Sequence, residues 1–147
     1  MRTLTPVILM AGVLTVGCTG KQDVSAELKN LEGTWELISL TKDGQQVPAA
    51  VLKSTQVVIK GDKYWIKFGN EVKQEGTITI DPTRKPKTID DIAATGTNKG
   101  KKSLGIYELE GDTLKTCFAD PGKERPTEFT SKPGSGFELA TQKRKKP

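Results

Sequence analysis

Histidine is absent from this chain of 147 residues. No Ser-His-Asp or Cys-His nucleophile can therefore be assembled within it, nor any His-ligated metal. Cysteine occurs twice, at Cys18 and Cys117, too few for a four-thiolate zinc site. Eight aromatics leave little for a large stacking platform. No G-x-G-x-x-G or P-loop lysine occurs, Gly134-Ser135-Gly136 lacks a strand-to-helix context, and no EF-hand spacing is present. The longest apolar run, Leu4–Val16, has thirteen residues and contains Pro6 and Gly12, short of the ~20 that span a bilayer core. Carboxylates alone do not fill the catalytic gap. Asp90 and Asp91 are adjacent, and strand neighbours point to opposite faces, so they cannot jointly flank a bond. Glu108, Glu110 and Asp112 read as solvated turn charges. The expectation is a non-enzyme with no cofactor and no metal.

The composition, 34% hydrophobic and 28% charged, suits one domain with one core. The net charge is +5, and setting Arg2 aside leaves 22 basic against 18 acidic residues. The signs are interspersed, the basic Lys143–Lys146 run reads as a solvated end, and nucleic acid is not expected as a partner. Lys63, Trp65 and Lys67 share a strand face, and Trp65 is assigned to packing.

Arg2 followed by the apolar run has the layout of a secretory signal peptide. The run ends in Thr15-Val16-Gly17-Cys18, which resembles the lipobox of bacterial lipoproteins, with Leu14 one place from the family's usual leucine. The resemblance implies cleavage after residue 17 and palmitate-type acylation of Cys18. Two or three acyl chains would hold a domain stably on a membrane, at ~0.8 kcal/mol per buried methylene. Thr19 stands where that family's inner-membrane retention signal has Asp, so the implied place is the cell envelope, at the periplasmic face of the outer membrane. Cys117 would then have no partner for a disulfide and reads as a small apolar strand residue.

The organisation expected is a signal peptide over 1–17, a polar tether over 18–27, a domain over 28–144 and a basic tail over 145–147. Ser25 can cap a short helical turn through Asn30. The first strand covers about Gly33–Leu40, Asp43-Gly44 supplies a turn, and Pro48 opens a short helix through Lys53. Thr55–Lys60 and Lys63–Phe68 form a hairpin over Gly61-Asp62. Val72–Ile80 follows, with Gly76 marking a bend or bulge, and then Thr88–Ala93. Ser103–Glu110 and Thr113–Ala119 form a hairpin in which Leu109 opposes Leu114 and Tyr107 opposes Thr116, so Tyr107, Leu109, Leu114 and Phe118 face inward. Asp120–Gly136 is a Pro/Gly-rich excursion, and Phe137–Gln142 is the last strand. About eight short strands with almost no helix predict an all-β fold, a small antiparallel up-and-down barrel with a short N-terminal helical turn.

Gly33-x-Trp35 after a helical turn is similar to the lipocalin entrance motif. That resemblance implies that Trp35 closes one end of the barrel beneath Lys143 or Arg144, with Arg144 preferred, in a cation–π contact. LEGTWELISLTKDGQQVP, ITIDPTRKPKTID, LGIYELEGDTLK and RPTEFTSKPGSG together resemble a lipocalin-like domain family abundant in planctomycete bacteria, over about Leu28–Arg144. That family has no established activity, so the resemblance implies fold alone. Asp91 departs from its apolar pattern, and a carboxylate in the interior phase is costly unless paired, which places it at the rim or against a ligand.

Two functions are compatible with these features. In one, a lipid-anchored barrel binds or carries a small apolar or amphipathic ligand, with Trp35, Leu37, Tyr64, Phe68, Tyr107, Leu109 and Phe118 facing it. In the other, a ligand-free barrel serves as an envelope interaction module through the Asp120–Gly136 excursion and the Trp65 face.

Overall fold

The computed structural model describes residues 19–147. The signal peptide and Cys18 lie outside the described residues.

Helix α1 (Thr19–Leu31) replaces the expected tether and short turn. Val24, Leu28 and Leu31 recur at helical spacing, and this apolar stripe packs on the barrel core. Most of a helix's stability comes from such docking, which explains why so polar a segment is helical. The chain continues through β1 (Gly33–Lys42), β2 (Gln45–Gln46), α2 (Ala49–Ser54) and β3 (Thr55–Lys60). Next come β4 (Lys63–Phe68), β5 (Glu71–Asp81), β6 (Lys87–Ala93), β7 (Lys102–Glu110), β8 (Thr113–Ala119) and β9 (Phe137–Arg144).

The sheet is antiparallel throughout, ordered β2-β1-β3-β4-β5-β6-β7-β8-β9, and β1 also pairs with β9. That last ladder, from Trp35 opposite Arg144 to Lys42 opposite Glu138, closes an eight-stranded barrel. The two-residue β2 lies outside the circle as a ribbon on β1. Closure removes the exposed edges of the wall.

Two local devices set which side chains point inward. A bulge between Leu37 and Ser39 leaves Ile38 outside, 53% exposed, and returns Leu40 and Lys42 to the inner face. Gly76 is buried, and a Cβ there would lie 2.2 Å from the Ile92 carbonyl oxygen and 2.8 Å from the Tyr64 ring. The glycine thus makes room for Tyr64 within the wall; the register irregularity between β4 and β5 falls instead at Ile66/Lys67.

The hairpin register is the one the alternation implied, Leu109 opposite Leu114 and Tyr107 opposite Thr116. The inner core gathers Leu31, Trp35, Ile59, Tyr64, Ile78, Ile80, Ile89, Tyr107 and Leu114. A smaller apolar layer lies outside the wall. There the 120–136 segment folds back as a strap, with Pro126, Ile106 and Cys117 fully buried. Arg125 pins the strap: its guanidinium donates to both Asp90 carboxylate oxygens, at 2.5 and 3.2 Å, and to the Gly105 carbonyl at 2.7 Å. The Cys117 thiol donates to the Thr130 carbonyl at 3.3 Å, and burial pushes its pKa up.

Candidate functional site

The barrel has one closed end and one open end. The closed end is a floor built around Trp35, which is fully buried and donates its indole N–H to the Leu31 carbonyl at 2.9 Å. The Arg144 guanidinium lies 4.3 Å from the Trp35 ring and donates to the carbonyls of Glu32 and Asn30. Gly33, at φ +141°, permits this approach, since a Cβ there would lie 2.8 Å from an Arg144 nitrogen. Beside it, Glu27 of α1 accepts from Lys87 at 2.6 Å and from the Tyr107 hydroxyl at 3.1 Å. Burial works to raise the Glu27 carboxyl, but Lys87 and Tyr107 hold it below the usual range.

Above the floor is a cavity of about 280 Å³ that opens at the other end. An apolar void of ~150 Å³ already takes up benzene, and a water occupies ~30 Å³ in the liquid, so this space suits a ligand of roughly ten heavy atoms. Its apolar wall is formed by Leu37, Leu40, Val57, Ile59, Ile66, Ile78, Ile89, Leu114 and Phe118. Gly105 is again a matter of room, because the Phe118 ring occupies the space of its missing Cβ, at 2.6 Å.

Polar groups concentrate toward the mouth, where Lys42, Asp91, Asp120 and Glu138 all line the cavity. Lys42 pairs with Asp120 at 2.5 Å and lies 3.8 Å from Glu138. Burial pushes the Glu138 carboxyl above the ordinary range, Lys42 pulls it back, and Asp120 and Asp91 push it further. Its side chain retains 44% exposure while lining the mouth. Burial likewise raises the Asp91 carboxyl, only partly offset by Ser103 and the Tyr64 hydroxyl. Tyr64 itself is pushed up to about 12 by burial and by the Asp91 charge, and its hydroxyl accepts from the Gln74 amide at 2.8 Å.

Of the residues expected to face a ligand, the structure brings Leu37, Tyr64 and Phe118 to the cavity. Four others are corrected. Trp35 and Tyr107 belong to the sealed floor beneath α1. Leu109 packs against the same closed-end core. Phe68 has the inward phase of Tyr64 and Ile66 but is the last residue of β4, so it sits at the rim, 45% exposed. Val72 across the β4–β5 turn is also exposed, and that turn is tied to α2 through Gly69 N–H and the Ser54 carbonyl at 2.7 Å. Trp65 is half-buried on the outer face of β4.

Sequence reasoning missed Glu138 and Gln142, which line the cavity from β9. A signal was available. In Glu138-x-Ala140-x-Gln142 the polar residues share the phase of a buried alanine, where an outward strand face would be the ordinary place for them. Comparison with protein-family models, with curated proteins and with solved structures returns no match.

Proposed function

We propose that this protein is a lipocalin-like carrier or binder of a small apolar or amphipathic molecule, held on the cell envelope by an acylated Cys18. The observation that carries the reading is the cavity of about 280 Å³, walled mostly by apolar side chains and charged at its rim, above the end that Trp35 seals. A barrel used only as a rigid scaffold gains by filling such a void, because unfilled volume costs stability. Here the wall instead carries Ala140 and Thr116 on the inner face, both small.

The interaction-module reading draws less support. The strap that would serve as its contact surface spends Arg125 and Pro126 on its own barrel wall.

Native mass spectrometry of the full chain after gentle extraction from a membrane tests both parts together. The expected result is acylation at Cys18 and a co-purifying small molecule that is lost in an Ala140→Phe variant, whose ring enters the cavity. An unmodified Cys18 would remove the anchor. A wild-type protein that carries no additional mass and takes up no added medium-chain alcohol would remove the carrier.

A further inference from the structure

The cavity carries an excess of negative charge and one unpartnered buried acceptor. Gln142 is 5% exposed and lies one layer above the floor, opposite Leu37 and Leu114. Its amide nitrogen reaches the Thr116 hydroxyl at 3.5 Å, and its carbonyl oxygen is enclosed with no hydrogen-bond partner. A buried acceptor left in that state is destabilising, and each such group in a native protein calls for an explanation. Nearer the mouth, Asp91 and Glu138 face the same space, Asp91 with Ser103 and the Tyr64 hydroxyl as neutral donors but no cation. The lining holds three carboxylates, Asp91, Asp120 and Glu138, against one ammonium, Lys42, which is engaged with Asp120 at 2.5 Å. Cations that could have served Asp91 are on the other side of the wall: Arg125 and Lys102 reach Asp90, at 2.5 and 3.4 Å.

These groups lie at two depths. Glu138 and Gln142 are four residues apart on β9, which at ~3.3 Å per strand residue is roughly 13 Å. A chain of on the order of ten heavy atoms is long enough to bridge them, and it matches the volume available. A carboxylate ligand would add a fourth negative charge at the mouth. A neutral alcohol could serve Gln142 but leaves the mouth's charge unmet.

Building on the carrier reading, we infer that the ligand is an ammonium-headed aliphatic molecule with a second hydrogen-bond donor at its far end, the head held by Asp91 and Glu138 and the far donor by Gln142.

Isothermal titration of the full chain with 8-amino-1-octanol, octylamine, octanol and octanoate at neutral pH and low salt tests this. Octylamine is expected to bind at least tenfold more tightly than octanoate, with the gap narrowing as salt is added. The amino alcohol is expected to bind more tightly than octylamine in the wild type and equally in Gln142→Leu. An Asp91→Asn/Glu138→Gln variant is expected to lose the amine preference while still binding octanol, which also shows that it is folded. Octanoate binding as well as octylamine, or a preference that survives the double variant, would overturn the ammonium head. An amino alcohol no tighter than octylamine would overturn the far donor. If none of the four probes binds the wild type, it is the carrier reading that falls.

Discussion

At the closed end of the barrel, Glu27 has Lys87 at 2.6 Å and the Tyr107 hydroxyl at 3.1 Å, and the Trp35 indole has its own carbonyl acceptor. At the open end, Glu138 has its nearest cation at 3.8 Å, and Asp91 has no salt-bridge partner among the described residues. Strands β1, β6, β7 and β9 contribute to both ends, so backbone architecture does not cause the contrast. It arises from which side chains occupy the inward phase at each level and from Glu27, which α1 adds at the floor. The floor matches each charge with an opposite one, and the mouth sets three carboxylates against the single ammonium of Lys42. Unpaired charge is expensive in a protein interior, so an end that tolerates it is being used for something other than holding the fold together.

The contrast can be broken most forcibly at the floor. Trp35→Ala removes a fully buried indole with its hydrogen bond and the surface on which Arg144 rests. The expected loss is about 3–5 kcal/mol, measured as a drop in urea midpoint without a large change in slope. A loss under about 1 kcal/mol would mean that the floor is not what holds the barrel shut.

Midway up the wall, Arg125→Ala tests whether the strap belongs to the stable part. It leaves Asp90 with Lys102 alone, and the expected cost is about 1.5–3 kcal/mol. Alkylation followed by peptide mass analysis should find Cys117 protected in the wild type and labelled much faster in the variant, because burial and a raised pKa both suppress its thiolate. Equal labelling would place the cover over Cys117 elsewhere.

The smallest effects distinguish the two ends by sign. The Glu27 carboxyl is held low in the folded state, so its stabilisation is present above the ordinary carboxylate range and is lost as pH falls through its folded value. Asp91 and Glu138 are held high, so they destabilise as pH rises from the ordinary range through their folded values. At neutral pH, Glu27→Gln should therefore lower Tm and Asp91→Asn/Glu138→Gln should raise it, each by a few degrees. Both differences should shrink at about pH 3, below the usual carboxylate range. Shifts of the same sign at neutral pH would erase the distinction between floor and mouth.

Much of the barrel was readable because its signals are local. Gly61-Asp62 and Gly111-Asp112 fix their hairpins, and period-two alternation assigns Tyr107 and Leu114 to the inside. Helix α1 was not readable to its full length, since its reason for being helical is the surface it docks on, supplied by residues distant in sequence. Strand phase says in or out but not how high, so it does not separate Trp35, Tyr107, Leu109 and Phe68 from cavity residues that lie on other levels of the same inner face. Asp91 was legible as an anomaly on its own strand. Its relation to Glu138 runs through three successive ladders, β6–β7, β7–β8 and β8–β9, whose combined register no single strand reveals.

Asp90 and Asp91 share a peptide bond, yet one is gripped by Arg125 outside and the other looks into the cavity. The barrel is a membrane of protein a single backbone thick, and there is no insulating layer between its two surfaces. Tugging on the strap displaces the very link that carries a carboxylate toward the lumen, so substitutions at Arg125 cannot be assumed silent in any measurement made inside.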